Sequence, residues 1–229
     1  MSGPRISAHY GLCWGRSSDW RPAASEPARR RPNLLIAGAS GHVARAFLQR
    51  LQLRRTDFGR LVLLDPEEGV LRDRHLDHAR LDYEFVRCRL SFPEATAHYH
   101  ELLRRHEIDI VLDVTDLDTM PILTATDAAG VSYVNTALND GKRSVADVVA
   151  ALHPTRKQER GAAHIISSGM NPGVVNIWVW DSYQRYGAPD EIVHFEYDTS
   201  VPVAGWRPMI TWSRQEFLCE TVWEPTGLV

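Results

Sequence analysis

From Asn33 onward, short uninterrupted apolar runs alternate with stretches whose apolar positions recur every three or four residues. Leu34-Leu35-Ile36-Ala37 is the first run, and such a run is what a strand buried on both faces of a parallel sheet requires. A turn, Gly38-Ala39-Ser40-Gly41, follows at once. His42 to Leu53 then carries Val43, Ala46, Phe47, Leu48 and Leu51 at helical spacing. A second run, Leu61-Val62-Leu63-Leu64, ends in Asp65-Pro66. Asp82 to Val86 reads as a third strand, Ala95 to His106 as a helix with Leu102 and Leu103 inward, and Ile108 to Val114 as a fourth strand. A helix from Thr119 to Ala129, with Pro121 early and Gly130 just past its end, leads to a fifth strand, Val131 to Asn135. Strands alternating with helices at this spacing predict an open parallel sheet, an α/β fold of Rossmann type.

Beyond Thr136 the pattern loosens. An amphipathic stretch spans Arg143 to Leu152, a charged patch spans Arg156 to Arg160, and a sixth buried strand is expected at Ala163 to Ser167. That strand runs into Gly169-Met170-Asn171-Pro172-Gly173, where Pro172 suits a first helical position and Asn171 its N-cap. A helix to Arg185, an alternating strand from Glu191 to Thr199 and a strand at Met209 to Ser213 complete the pattern. The domains expected are therefore a disordered tail over residues 1–32, a nucleotide-binding domain over 33–170 and an incomplete α+β substrate domain over 171–229.

Composition narrows the function classes. A net charge of -3 with 24% charged residues lacks the basic face of a nucleic-acid binder. Three widely spaced cysteines, Cys13, Cys88 and Cys219, offer neither a disulfide framework nor a metal spacing, so no metal is expected and a reducing cytoplasm is the expected location. The longest apolar run, Gly173 to Trp180, is far short of the ~20 residues of a membrane helix. The tail carries Arg5, Arg16, Arg21 and Arg29-Arg30-Arg31 without the apolar core of a signal peptide; an organelle transit segment is the alternative to a disordered tail.

Chemistry concentrates in the turn. A strand feeding a helix through glycines turns backbone N–H groups and the positive helix end toward a phosphate. Gly38 allows the tight turn, Gly41 lets a pyrophosphate approach, and Ala44 lets helix and strand pack closely. The spacing is G-x-x-G-x-x-A, which a plain strand-to-helix turn could also carry. Asp65, 24 residues after Gly41 at the end of the second strand, stands where an acid binds the adenine ribose and repels a 2′-phosphate, favouring NAD over NADP. An Asp-Pro turn is its bland alternative. Gly38, Ala39, Ser40, Gly41, His42, Val43 and Asp65 are the cofactor candidates, joined by Thr115 and Thr136 at the carboxyl ends of the fourth and fifth strands. Asp118 is expected to cap the following helix.

Together with Gly41-His42-Val43-Ala44-Arg45 and Asp65, the segments Tyr133-Val134-Asn135-Thr136 and Gly169-Met170-Asn171-Pro172-Gly173 resemble the saccharopine dehydrogenase-like superfamily, nearest to bacterial homospermidine synthase. Glu196-Tyr197-Asp198-Thr199 and Thr211-Trp212, with Phe217 and Glu220, are similar to that family's Glu-x-Asp-Thr and Thr-Trp…Phe…Glu segments. The resemblance implies an NAD enzyme that oxidises putrescine to an imine, exchanges the amine and returns the hydride. It assigns Asn171 to the nicotinamide and the reacting amine, Trp212 to a cation–π platform, Glu220 to an ammonium partner and Glu196 to the cleft. Carboxylates on a strand face otherwise meet water, and a lone Trp otherwise packs. One departure stands out: Asn139 takes the place of a family glutamate that faces the substrate.

The expected partners are a small-molecule substrate, a diamine or an amino acid, and a second copy in a homodimer, with no nucleic acid and no membrane. Saccharopine or carboxynorspermidine dehydrogenase chemistry is the rival within the fold, and a non-catalytic NAD-binding module the rival outside it. The family's later substrate loop would lie beyond Val229, which marks the chain as a fragment or a truncated relative. His98, His100, His106 and His164 fit no site pattern and read as surface or packing residues.

Overall fold

The computed structural model describes residues 30–141, 143, 147–148, 150–152, 162–170 and 173–193. Six parallel strands, β1 (Leu34–Ala37), β2 (Leu61–Asp65), β3 (Glu84–Arg87), β4 (Ile110–Asp113), β5 (Ser132–Asn135) and β6 (His164–Ile165), lie in the order β3-β2-β1-β4-β5-β6. This is the doubly wound order of dinucleotide-binding folds, with its switch point between β1 and β4. The register is unbroken across the centre, with Leu35 facing Val62 on one side and Val111 on the other.

Alternation along the strands divides the core into two layers. Leu35, Ala37, Val62, Leu64, Val111 and Tyr133 point to the face covered by α3 (Thr96–Arg105) and α4 (Thr119–Ala128), through Tyr99, Leu102, Leu103 and Ile122. Leu34, Ile36, Leu61, Leu63 and Leu112 point to the face covered by α1 (His42–Leu51) through Ala44, Leu48 and Leu51. Both faces of β1 and β2 are thus dry, which explains their continuous apolar runs. Each fully buried Leu or Ile contributes about 1.5–3 kcal/mol over exposure.

Several boundaries differ from the sequence pattern. β3 begins at Glu84, because Asp82 adopts φ +45° as the left-handed cap of the short helix α2 (His78–Leu81). The sixth strand is two residues at the sheet edge with Ile165 58% exposed, where a buried strand over Ala163 to Ser167 was expected. It pairs with β5 on one side only among the described residues, so nothing there covers Ile165.

Helix α5 (Val174–Tyr186) starts with Gly173 in the N-cap position, where Asn171 was expected. Gly173 sits at φ +136°, and a Cβ there would lie 2.1 Å from the Gly169 carbonyl oxygen. Its own amide donates to Asn176 Oδ1 at 2.9 Å. Asn171 and Pro172 lie outside the described residues, as do 194–229; Glu191 to Val193, expected to open a strand, is irregular. Residues 147–148 and 150–152 are helical, in line with the amphipathic stretch. Among the described residues no helix is long and apolar enough to cross a membrane.

Candidate functional site

The carboxyl ends of β1, β2, β3 and β4 enclose a cleft of about 580 Å³, lined by Gly38, Gly41, His42, Val43, Asp65, Cys88, Arg89 and Thr115 among others. Its position at the switch point and its size fit a small-molecule or cofactor site. Gly38, at φ +82°, turns the chain so tightly that a Cβ would lie 2.8 Å from the Val114 carbonyl oxygen. Gly41 has an ordinary φ of −69° and a hypothetical Cβ would meet little but Gly38 O at 3.2 Å. Its lack of a side chain therefore serves the cleft, not the backbone.

The amides that could hold a phosphate are not those of the turn itself. Gly38 and Ala39 N–H donate to Leu64 O at 3.0 and 3.2 Å, and Gly41 N–H to Gly38 O at 3.0 Å. Ser40 N–H donates to Asp65 Oδ2 at 2.9 Å. The open donors lie one step on, at His42 and Val43, the first two residues of α1, which line the cleft and have no intrahelical acceptor and no capping side chain. Positive helix-end charge adds to them. Ala39, expected at the cofactor, is fully buried in the core, and Ser40 does not line the cleft.

Asp65 is 6% exposed at the cleft wall, with Oδ1 accepting the Glu67 N–H at 2.8 Å and Oδ2 the Ser40 N–H. Thr115 lines the opposite wall, its N–H and Oγ1 both donating to Asp113 Oδ1 at 3.0 and 2.7 Å. The other oxygen of Asp113 accepts the Tyr133 hydroxyl at 2.6 Å. Burial pushes the Asp113 carboxyl up from its ordinary range against the pull of the Tyr133 and Thr115 hydrogen bonds. Burial and the neighbouring Asp113 carboxylate push the Tyr133 hydroxyl up as well.

Thr136 is half-buried after β5 and does not line the cleft. Asp118 occupies the N-cap of α4 without capping it; its carboxylate accepts the Gly141 N–H at 2.8 Å instead. Asn139, the departure from the family pattern, is buried at 8% exposure and donates through Nδ2 to Thr115 O at 3.1 Å. It ties the loop after β5 to the cleft wall and does not project into open space.

Asn171, Glu196, Trp212 and Glu220, the expected catalytic set, lie outside the described residues. Cleft residues that the sequence reading does not place at the cofactor are Pro66, Cys88, Arg89, Leu90 and Leu117, while Asp116 belongs to the acid cluster after the fourth strand that it sets below Thr115. The one available signal was the rule that ligands lie at strand carboxyl ends, applied to β3. Of the histidines, His98 is exposed, His100 Nε2 bonds Ala125 O at 2.8 Å, and His106 is buried with Nδ1 3.2 Å from Glu84 Oε2. His164 accepts the Tyr133 N–H at Nδ1 and meets Asp127 Oδ1 through Nε2 at 2.8 Å. A second concavity of about 440 Å³ along α5 is apolar, bounded by Trp178, Tyr183 and Ile192.

No family model and no curated protein matches the chain, so the saccharopine dehydrogenase-like resemblance has no support of that kind. Several solved structures show partial similarity. A UDP-glucose-4-epimerase from Stenotrophomonas maltophila, with bound NAD and formylated UDP-arabinopyranose, is 16% identical over 58% of this chain and 52% of its own, with a TM-score of 0.40. The WlbA dehydrogenase from Chromobactrium violaceum, in complex with NADH and UDP-GlcNAcA, is 14% identical over 69% of this chain and 41% of its own, with a TM-score of 0.43. A dTDP-glucose 4,6-dehydratase from Bacillus anthracis, in complex with NAD, is 10% identical over 68% and 51%, with a TM-score of 0.34. The chain spans about half or less of each. Its own strand order and glycine turn make it a Rossmann-type α/β protein.

Proposed function

We propose that this chain binds NAD in the cleft at the β1–β4 switch point and serves an NAD-dependent oxidoreductase. The observation that carries the reading is the pair of open amides at His42 and Val43 beside a side-chain-free Gly41, a ready seat for a pyrophosphate. The Asp65 carboxylate at the cleft wall after β2 suits ribose hydroxyls over a 2′-phosphate, which supports NAD over NADP. Bound NAD supplies hydride transfer; the residues of the cleft hold and orient it. Titration with NADH, followed by quenching of protein fluorescence, should saturate at one site and be reversed by ADP-ribose. Absence of saturable binding by NADH would defeat the proposal.

The finer reading is amine chemistry through an imine, of homospermidine synthase type. Its support is the sequence resemblance over residues 169–173, 196–199 and 211–220. Neutral, buried Asn139 replaces a charge that would hold a diamine, so the substrate is proposed at the level of an amine. Incubation with NAD and putrescine, with ammonia and homospermidine as readouts, tests it; NAD binding without either product would leave a binding module.

A further inference from the structure

We propose that Asp65 is a positioning residue for the phosphate turn, acting through the Ser40 amide, a role separate from ribose recognition at its remaining acceptor sites. This rests on the dinucleotide reading above. The residue is buried, and each carboxylate oxygen already accepts one backbone N–H: Ser40 at 2.9 Å and Glu67 at 2.8 Å. Hydrogen bonds of this kind to an ionised oxygen are among the stronger ones.

Ser40 is held from its other side as well. Its hydroxyl donates to Glu67 O at 2.7 Å and accepts the Val70 N–H at 3.2 Å. Gly69 lies so close that a Cβ there would sit 3.3 Å from Ser40 Cβ. The loop after β2 therefore grips the third residue of the turn by main chain and side chain. That grip sets the path from Gly38 to Gly41, and with it the direction of the His42 and Val43 amides.

A ligand phosphate meets those amides whether or not the ribose carries a 2′-phosphate. Loss of the Asp65 grip should then weaken every phosphate ligand alike.

Two variants test this. D65N keeps the shape but places an NH₂ group against one of the two N–H donors. D65E keeps the charge but moves it by one methylene. NADH, NADPH and inorganic pyrophosphate are titrated against each variant, and amide exchange over residues 38–44 is followed without ligand. Both variants should lose about tenfold in affinity for all three ligands. Inorganic pyrophosphate carries no ribose, so its loss reads the turn alone, and exchange in the turn should accelerate. Wild-type pyrophosphate affinity with unchanged turn exchange in both variants would overturn the proposal. If the wild type binds no dinucleotide, the cofactor reading fails; the exchange arm still decides whether Asp65 holds the turn.

Discussion

Gly38 and Gly41 occupy the same turn, yet substituting alanine at each should produce opposite failures. At Gly38 the added Cβ must accept φ +82°, which costs about 1–2 kcal/mol for an L-residue, and it would press on Val114 O at 2.8 Å and Thr115 N at 3.1 Å. Those neighbours are backbone of the loop leaving β4 and cannot rotate away, so crowding adds about 1–3 kcal/mol. Gly38→Ala should therefore lose roughly 2–5 kcal/mol, a fall of roughly 5–20 °C in Tm for a chain of this size. Gly41→Ala meets an ordinary φ and a single contact at 3.2 Å, so its stability should stay within ~1 kcal/mol of the wild type. Its methyl, however, would stand in the cleft before the His42 and Val43 amides, and NADH affinity should drop by tenfold or more, about 1.4 kcal/mol. Urea denaturation and NADH titration of both variants separate the effects. Equal destabilisation by the two substitutions, or a Gly38→Ala protein as stable as the wild type, would refute the reasoning.

Removing the Tyr133 hydroxyl strips one donor from a buried carboxyl, so Tyr133→Phe should cost about 1–3 kcal/mol in urea unfolding. Burial raises the folded-state pKa of Asp113, so the folded chain keeps that proton at pH values where the unfolded chain has lost it. Its contribution is fully present below the ordinary value of 3.8 and is lost as pH rises through the folded value. Asp113→Asn lacks that slope, and a stability difference from wild type that stays flat with pH would count against the assignment. His164→Ala removes the acceptor for the Tyr133 N–H and the link to Asp127, and should cost about 1–3 kcal/mol with faster exchange of the Tyr133 amide. Unaltered exchange would show that β6 does not depend on the imidazole.

Much of the fold was legible in the chain because burial on both sides of a parallel sheet leaves an unmistakable record. Leu34 to Ala37 and Leu61 to Leu64 are apolar without interruption since each face meets a helix layer, and the glycines of the first turn follow directly. Helix α4 was equally plain, bracketed by Pro121 and Gly130. The edges were not, because an outer strand such as His164–Ile165 needs no apolar face to pair through its backbone.

The phosphate turn marks the division most clearly. Sequence alone located it, named Gly38, Gly41 and Asp65, and placed them at the mouth of a parallel sheet. It could not say which amides stay open. That depends on where each N–H finds an acceptor, and the acceptors, Leu64 O and the Asp65 carboxylate, come from a strand more than twenty residues away. Side-chain direction decided the rest. Ala39 turns into the core, Asp118 turns to Gly141, Asn139 turns to Thr115, and Arg89 reaches the cleft from a strand end with no motif to announce it. Local pattern fixes which elements form because it records burial, whereas partner choice among polar groups is settled only when distant segments are brought within hydrogen-bond reach.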